Sequence, residues 1–152
     1  MTEDDGPLSM SIGEDEDDST IADDDYLYRR VARDPVNTKR EAGTVRASSA
    51  AFEDKGDGIS VFLESVMAGL DLEIPWSVIA GKAPGRFAIA RLRVEAVRGL
   101  GCGVTRDGDP AEEPPHPCNP AHALVHLPPV GKRPQHRLRA ELARVAELLE
   151  TS

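Results

Sequence analysis

No apolar run in this chain approaches the ~20 residues needed to cross a bilayer, which excludes a transmembrane helix. Cysteine is almost absent. Cys102 and Cys118 are too few to make a disulfide framework. Aromatic residues are 4% of the chain and hydrophobic residues 39%, so any core is modest. No internal repeat is visible, and the composition excludes a long coiled coil and a collagen-like pattern. The N-terminus lacks the positive start and apolar run of a secretory signal, so the expected location is cytoplasmic. What the chain does have is 13 glycines and 12 prolines, which imply many turns. Its 152 residues fit one domain with a tail, not two full domains.

Positive charge is missing from one end altogether. Residues 1–25 hold eleven acids (Glu3, Asp4, Asp5, Glu14 to Asp18, and Asp23 to Asp25) and no Lys or Arg. The remaining residues carry 16 acids against 18 bases, so the net charge of -9 belongs to this leader and not to the body. Like charges at such density repel, and little apolar surface offsets the entropy of ordering. Residues 1–25 therefore read as a disordered acidic arm, with residues 26–152 as the single domain. The arm either solubilises the protein or docks on a basic surface, its own or a partner's. Non-specific nucleic-acid binding is not expected while the arm is present.

Along the body, Tyr26–Val31, Thr44–Ala47, Ile59–Leu63, Gly103–Arg106 and Ala121–Leu127 read as strands. Asp34-Pro35 and Glu41 to Gly43 bound a loop, and Asp54 to Gly58 marks a turn. Glu64–Leu70 and Pro75–Ala80 read as short helices. Residues 86–90 read as a strand passing into a helix at about 91–99. Asp107–Pro120 holds five prolines and is irregular. The clearest element is a helix from Pro134 to about Glu150, in which Leu138, Leu142, Val145 and Leu149 form one apolar stripe. The expected fold is α+β: a compact domain with a small mixed sheet, short helices and a long C-terminal amphipathic helix.

Several constellations invite chemistry. Lys132, Arg133, His136, Arg137 and Arg139 crowd the start of the last helix. Exposed cations there cost roughly 0.3–1 kcal/mol each against the helix dipole. Such an end reads either as a solvated basic turn or as an anion site, with the acidic arm as one occupant. His116, Cys118, His122 and His126 look metal-like. In a strand, however, His122 and His126 stand about 13 Å apart at roughly 3.3 Å per residue, too far for one zinc with ~2 Å bonds. No metal and no cofactor is expected. Ser48 and Ser49 read as backbone caps. A nucleophilic serine would need His122 as base with Asp54 or Asp107 as orienter, and no G-x-S-x-G or S-x-x-K motif accompanies it. Gly99 to Gly103 reads as a helix cap and tight turn, since it lacks the Lys-Ser/Thr of a phosphate loop.

Five segments read together resemble a family of small uncharacterised bacterial proteins. They are Leu27-Tyr28-Arg29-Arg30 (LYRR), Arg46 to Phe52 (RxSSxAF), Ser60-Val61 (SV), Gly103 to Asp107, and Asn119 to Val125 (NPAHALV). The likeness covers about residues 26–145 and carries no assigned activity. It implies that Arg29, Arg46, Ser48, Ser49, Asp107 and His122 belong to a shared pattern. The stretch Gly108–Cys118 is longer and richer in proline than in similar chains, and the acidic arm lies outside the likeness.

If strand ends bring those residues together, Arg29, Arg46 and Arg106 make a cleft electropositive while Ser48, Ser49, Asp107 and His122 supply hydrogen bonds. The expected function is a binding or regulatory module that recognises an anionic ligand, a peptide or a partner protein through that cleft or through Arg133, His136 and Arg137. The alternative is an enzyme acting on a nucleotide or other phosphorylated substrate. An Arg-plus-Ser constellation is similar to the pockets of ADP-ribosyl transferases, for which Glu112 or Glu113 would have to serve as the catalytic acid. A third reading is a small structural partner whose terminal helix completes another chain's core.

Overall fold

A computed structural model describes residues 12, 14–41, 43–53, 58–69, 86–107 and 121–149. In chain order the elements are β1 (Tyr26–Ala32), β2 (Thr38–Glu41), β3 (Thr44–Ala47), β4 (Ile59–Leu63), α1 (Glu64–Gly69), β5 (Phe87–Arg93), α2 (Val94–Gly99), β6 (Gly103–Arg106), β7 (His122–His126), α3 (Lys132–Val145) and β8 (Glu147–Leu149), with 3-10 turns at Glu14–Glu16 and Ser49–Phe52. Six strands form one sheet in the order β6-β7-β4-β1-β5-β8, and β2 and β3 form a separate hairpin. The fold is α+β. The sheet is not mixed, because every strand pair is antiparallel. β4 and β5 run in the same direction, but β1 lies between them and pairs with both.

The alternation of the strands separates the sheet into two faces. Leu27, Val31, Ile59, Val61, Leu63, Ala90, Leu92, Val104, Ala123 and Val125 form the main core with Ile21, Phe52, Val97, Leu142 and Ala143. On the other face Tyr28, Phe62 and Ile89 form a smaller cluster with Met67 and Ala121. Registers Tyr28↔Phe62 and Phe62↔His122 place His122 on this second face, with Ser60 two residues along β4.

Several boundaries differ from the sequence reading for reasons of pairing. β5 stays extended to Arg93 because it matches β1 over seven consecutive positions, Tyr26↔Arg93 to Ala32↔Phe87. α2 then starts where the carbonyls of Asp25 and Asp23 accept the N–H groups of Val94 and Glu95, two of the unpaired donors at a helix start. The last helix ends at Val145, not near Glu150. Leu149 leaves the helical stripe because Glu147–Leu149 pairs with Arg91, Ala90 and Ile89 on the edge of β5. β2 replaces an expected loop: Thr38–Glu41 pairs residue for residue with β3 across a turn containing Gly43 at φ 81°. The expected helix at 75–80 and the proline-rich 108–120 lie outside the described residues.

The acidic leader is also different over residues 14–25. Arg98 is half-buried and donates to four acceptors from this segment: Asp17 Oδ1 at 3.0 Å, Asp23 Oδ1 at 2.7 Å, and the carbonyls of Asp18 and Ile21 at 2.8 Å each. Ile21 enters the core at 1% exposure. The Asp18 N–H donates to the Val104 carbonyl, and Asp17 Oδ1 accepts from the Val104 N–H, so the segment satisfies the open edge of β6. A Cβ on Gly103 would stand 1.9 Å from the Glu16 carbonyl oxygen, and only glycine permits this approach. Charge repulsion within the leader is offset here by Arg98, by Arg106 beside Asp18, by one buried isoleucine and by a strand edge. Residues 1–11 and 13 lie outside the description.

Candidate functional site

β6 and β7 deliver the first two groups of the site. Their ladder continues one step past Arg106↔Ala123, where the Asp107 N–H donates to the His122 carbonyl at 2.9 Å. Asp107 therefore stands directly across from His122, and its Oδ2 lies 2.9 Å from His122 Nδ1. β4 delivers the third group. Ser60 pairs with Leu124, which puts it diagonally beside His122, and its Oγ lies 3.1 Å from His122 Nε2. The Phe62 ring packs edge-on against the imidazole at 5.5 Å between centroids and limits its rotation.

In the neutral imidazole with the Asp107 carboxylate as acceptor, Nδ1 carries the proton and Nε2 is left to accept from the Ser60 hydroxyl. Ser60–His122–Asp107 is thus a directed relay: a hydroxyl with a base on it and a carboxylate orienting the base. Ser60 is exposed and the imidazole is 23% exposed, so the relay is accessible to a ligand. It lines a cleft of about 660 Å³ with Arg29, Glu53, Gly58 and Leu124. Gly58, at φ 104°, keeps the wall close, since a Cβ there would lie 3.1 Å from Leu124 Cβ and 3.3 Å from the His126 ring.

Arg29 reaches the cleft because β1 and β4 pair only at Leu27↔Leu63 and Tyr28↔Phe62 before they part. Its guanidinium occupies the opening. Nη1 donates to the Ser60 carbonyl at 2.7 Å and Nε to the Ala51 carbonyl at 2.6 Å. Burial, and secondarily the neighbouring Arg30 charge, pull its pKa down to about 10, so it remains a cation at neutral pH.

The sequence-derived candidates separate into four places. Arg29, Asp107 and His122 share the cleft. Ser48 and Ser49 do not line it. Ser48 Oγ donates to the Val36 carbonyl and fastens the hairpin, and Ser49 opens a 3-10 turn. Arg46 stands across from Lys39 within the hairpin. Arg106 lies on the other face of the sheet, where it approaches Asp18 at 3.5 Å and Thr20 at 3.4 Å. The three arginines that were to make one electropositive recess therefore do not meet, and Glu53 and Asp107 bring negative charge to the cleft that does form. Arg133, His136 and Arg137 line a separate shallow recess with Lys132 at the start of α3.

Among the described residues no group of three His, Cys, Asp or Glu side chains gathers as a metal site. His126 Nε2 is within 2.8 Å of Thr105 Oγ1. His116, Cys118, Asp54, Glu112 and Glu113 lie outside the described residues. The hydroxyl within reach of His122 is that of Ser60, whereas Ser48 and Ser49 belong to the hairpin and its 3-10 turn. The available signal was modest: Ser60 is the one polar residue in the apolar strand Ile59–Leu63, and the one exposed position in it. No family model, no curated protein and no solved structure matches this chain.

Proposed function

We propose that the cleft is the active site of a small hydrolase with Ser60 as nucleophile, His122 as general base and Asp107 as the residue that orients and charge-stabilises His122. The observation that supports this reading is the unbroken relay from Asp107 Oδ2 through both imidazole nitrogens to Ser60 Oγ. Ser60 Oγ attacks an electrophilic carbonyl or phosphoryl centre, and its proton passes to His122 Nε2. The leaving oxygen departs with that proton, which leaves a Ser60 ester. Water, deprotonated by the same imidazole, then cleaves the ester and restores the serine. General-base assistance of this kind contributes typically ~10²–10⁴ in rate.

The second reading is a module that takes up an anionic or peptide group in the same cleft without turnover. What favours it is Arg29, a partly buried cation that meets two carbonyls and the face of the Phe52 ring and forms no ion pair among the described residues. A fluorophosphonate probe separates the two. Under the hydrolase reading it forms an adduct on Ser60 of the native protein, and the adduct is absent from Ser60→Ala and strongly reduced in His122→Ala. Absence of labelling in the native protein, or equal labelling of Ser60→Ala, would falsify the hydrolase. Retained binding of an anionic ligand with no covalent chemistry would then establish the module.

A further inference from the structure

β6 delivers the orienting carboxylate of the relay, and it is the last strand of the sheet, only four residues long. One side of it pairs with β7. The acidic leader holds the other side, at three of those four residues. Gly103 lies against the Glu16 carbonyl, where a Cβ has no room. Val104 donates its N–H to Asp17 Oδ1 at 3.1 Å and accepts from the Asp18 N–H at 2.7 Å. Arg106 approaches Asp18 Oδ2 at 3.5 Å and Thr20 Oγ1 at 3.4 Å. Arg98 fastens the same segment from α2 through Asp17, Asp18, Ile21 and Asp23.

Asp107 follows Arg106 directly, and its side chain is 52% exposed, so packing does little to hold it. Two bonds to His122 do: the Asp107 N–H donates to the His122 carbonyl, and Oδ2 meets Nδ1, each at 2.9 Å. The backbone bond is the terminal rung of the β6–β7 ladder. A short edge strand bonded on one side alone opens most readily at its terminal rung. The leader supplies the second side. When it leaves, the outward N–H and C=O of Val104 are returned to water and Arg106 loses its neighbours, so β6 is held by β7 alone. If Asp107 then swings away, Nδ1 loses its acceptor. The imidazole can place its proton on Nε2, and Nε2 can no longer accept from Ser60.

Building on the Ser60 reading, we infer that residues 16–20 of the acidic leader are a positioning segment for the relay. Docked on β6, they hold Asp107 across from His122. Their release disassembles the relay while the rest of the sheet stays folded. The leader is then a switch built into the fold, acting on the site through the backbone of β6.

Arg98→Ala in the full chain tests this. Asp17→Ala is a milder second variant should the first unfold the sheet, and Asp17→Asn, which keeps a side-chain oxygen for the Val104 N–H, is the rescue. In the alanine variants the Asp107 amide should exchange about tenfold faster or more, together with the Asp18 amide, while the β1–β5 amides keep their protection. The nitrogen-15 shifts of the neutral His122 ring should lose the Nδ1–H form in the same variants and regain it in Asp17→Asn. A general loss of stability would not change the tautomer of a protein that is still folded. Fluorophosphonate labelling of Ser60 should slow by about tenfold or more, within the range of general-base assistance. A native Asp107 amide and a native tautomer beside a freely exchanging Asp18 amide overturn the inference. So does an Asp18 amide that stays protected in both alanine variants, or Ser60 labelled at the native rate once the leader is released. If Ser60 of the native protein takes no label, the hydrolase fails, and the exchange and tautomer results still decide whether the leader positions Asp107.

Discussion

Replacing Arg98 with alanine should release the acidic leader from the body. The arginine makes two bonds of 2.8 Å to the carbonyls of Asp18 and Ile21 and two ion pairs with Asp17 and Asp23. The Arg98 side chain is only 20% exposed, whereas Asp17 and Asp23 are 37% and 64% exposed. The carbonyl bonds therefore carry most of the effect, at about 1.5 kcal/mol each on the low side of bonds to charged groups. The ion pairs add about 0.5 kcal/mol each after solvent screening. The sum is about 4 kcal/mol. What remains is the burial of Ile21, about 2–3 kcal/mol, together with the bonds to the Val104 backbone and the Arg106–Asp18 ion pair. A loss of about 4 kcal/mol exceeds any one of these, so Arg98→Ala should release residues 14–23 while the sheet stays folded. The assay is amide hydrogen exchange combined with urea unfolding. The Asp18 amide, bound to the Val104 carbonyl, and the Glu95 amide, bound to the Asp23 carbonyl, should lose protection while the β1–β5 ladder keeps it. Gly103→Ala should do the same from the opposite side, since its Cβ collides with the Glu16 backbone. An Asp18 amide as protected as in the native protein, with stability changed by less than about 0.5 kcal/mol, would refute this account of why an acidic segment is ordered.

Two further outcomes follow from titratable groups. Burial pushes the Cys102 thiol up to about 12, so in a Cys118→Ser background it should resist a disulfide reagent at pH 8 and react fully only in denaturant; rapid native-state labelling would contradict its placement in the core. Hydrogen bonds from Thr20 hold the Asp18 carboxyl below its ordinary 3.8, and those from the Asn37 and Val36 backbone and the Asn37 amide do the same for Asp34. Lowered folded-state values mean stability that is present above pH 3.8 and lost as pH falls through the folded values. Urea midpoints should fall on acidification below about pH 4, and Asp34→Ala should flatten that decline. An unchanged acid profile in the variant would remove Asp34 from the explanation.

The sequence by itself determined the local elements. Alternating apolar residues marked β1, β4, β6 and β7, and the stripe of Leu138, Leu142 and Val145 marked α3, because period 2 and period 3.6 are properties of adjacent residues. The resemblance implied a set of Arg29, Arg46, Ser48, Ser49, Asp107 and His122, of which Arg29, Asp107 and His122 line the relay cleft. Only the tertiary structure decided which serine meets His122, since that depends on the register Ser60↔Leu124 between strands more than sixty residues apart, and a one-residue slip would have turned the hydroxyl to the core. Nor was the order of residues 14–25 legible. Local charge density argues for a free tail, and the opposing contribution comes from Arg98 and Gly103, some eighty residues away, which only the folded sheet brings alongside.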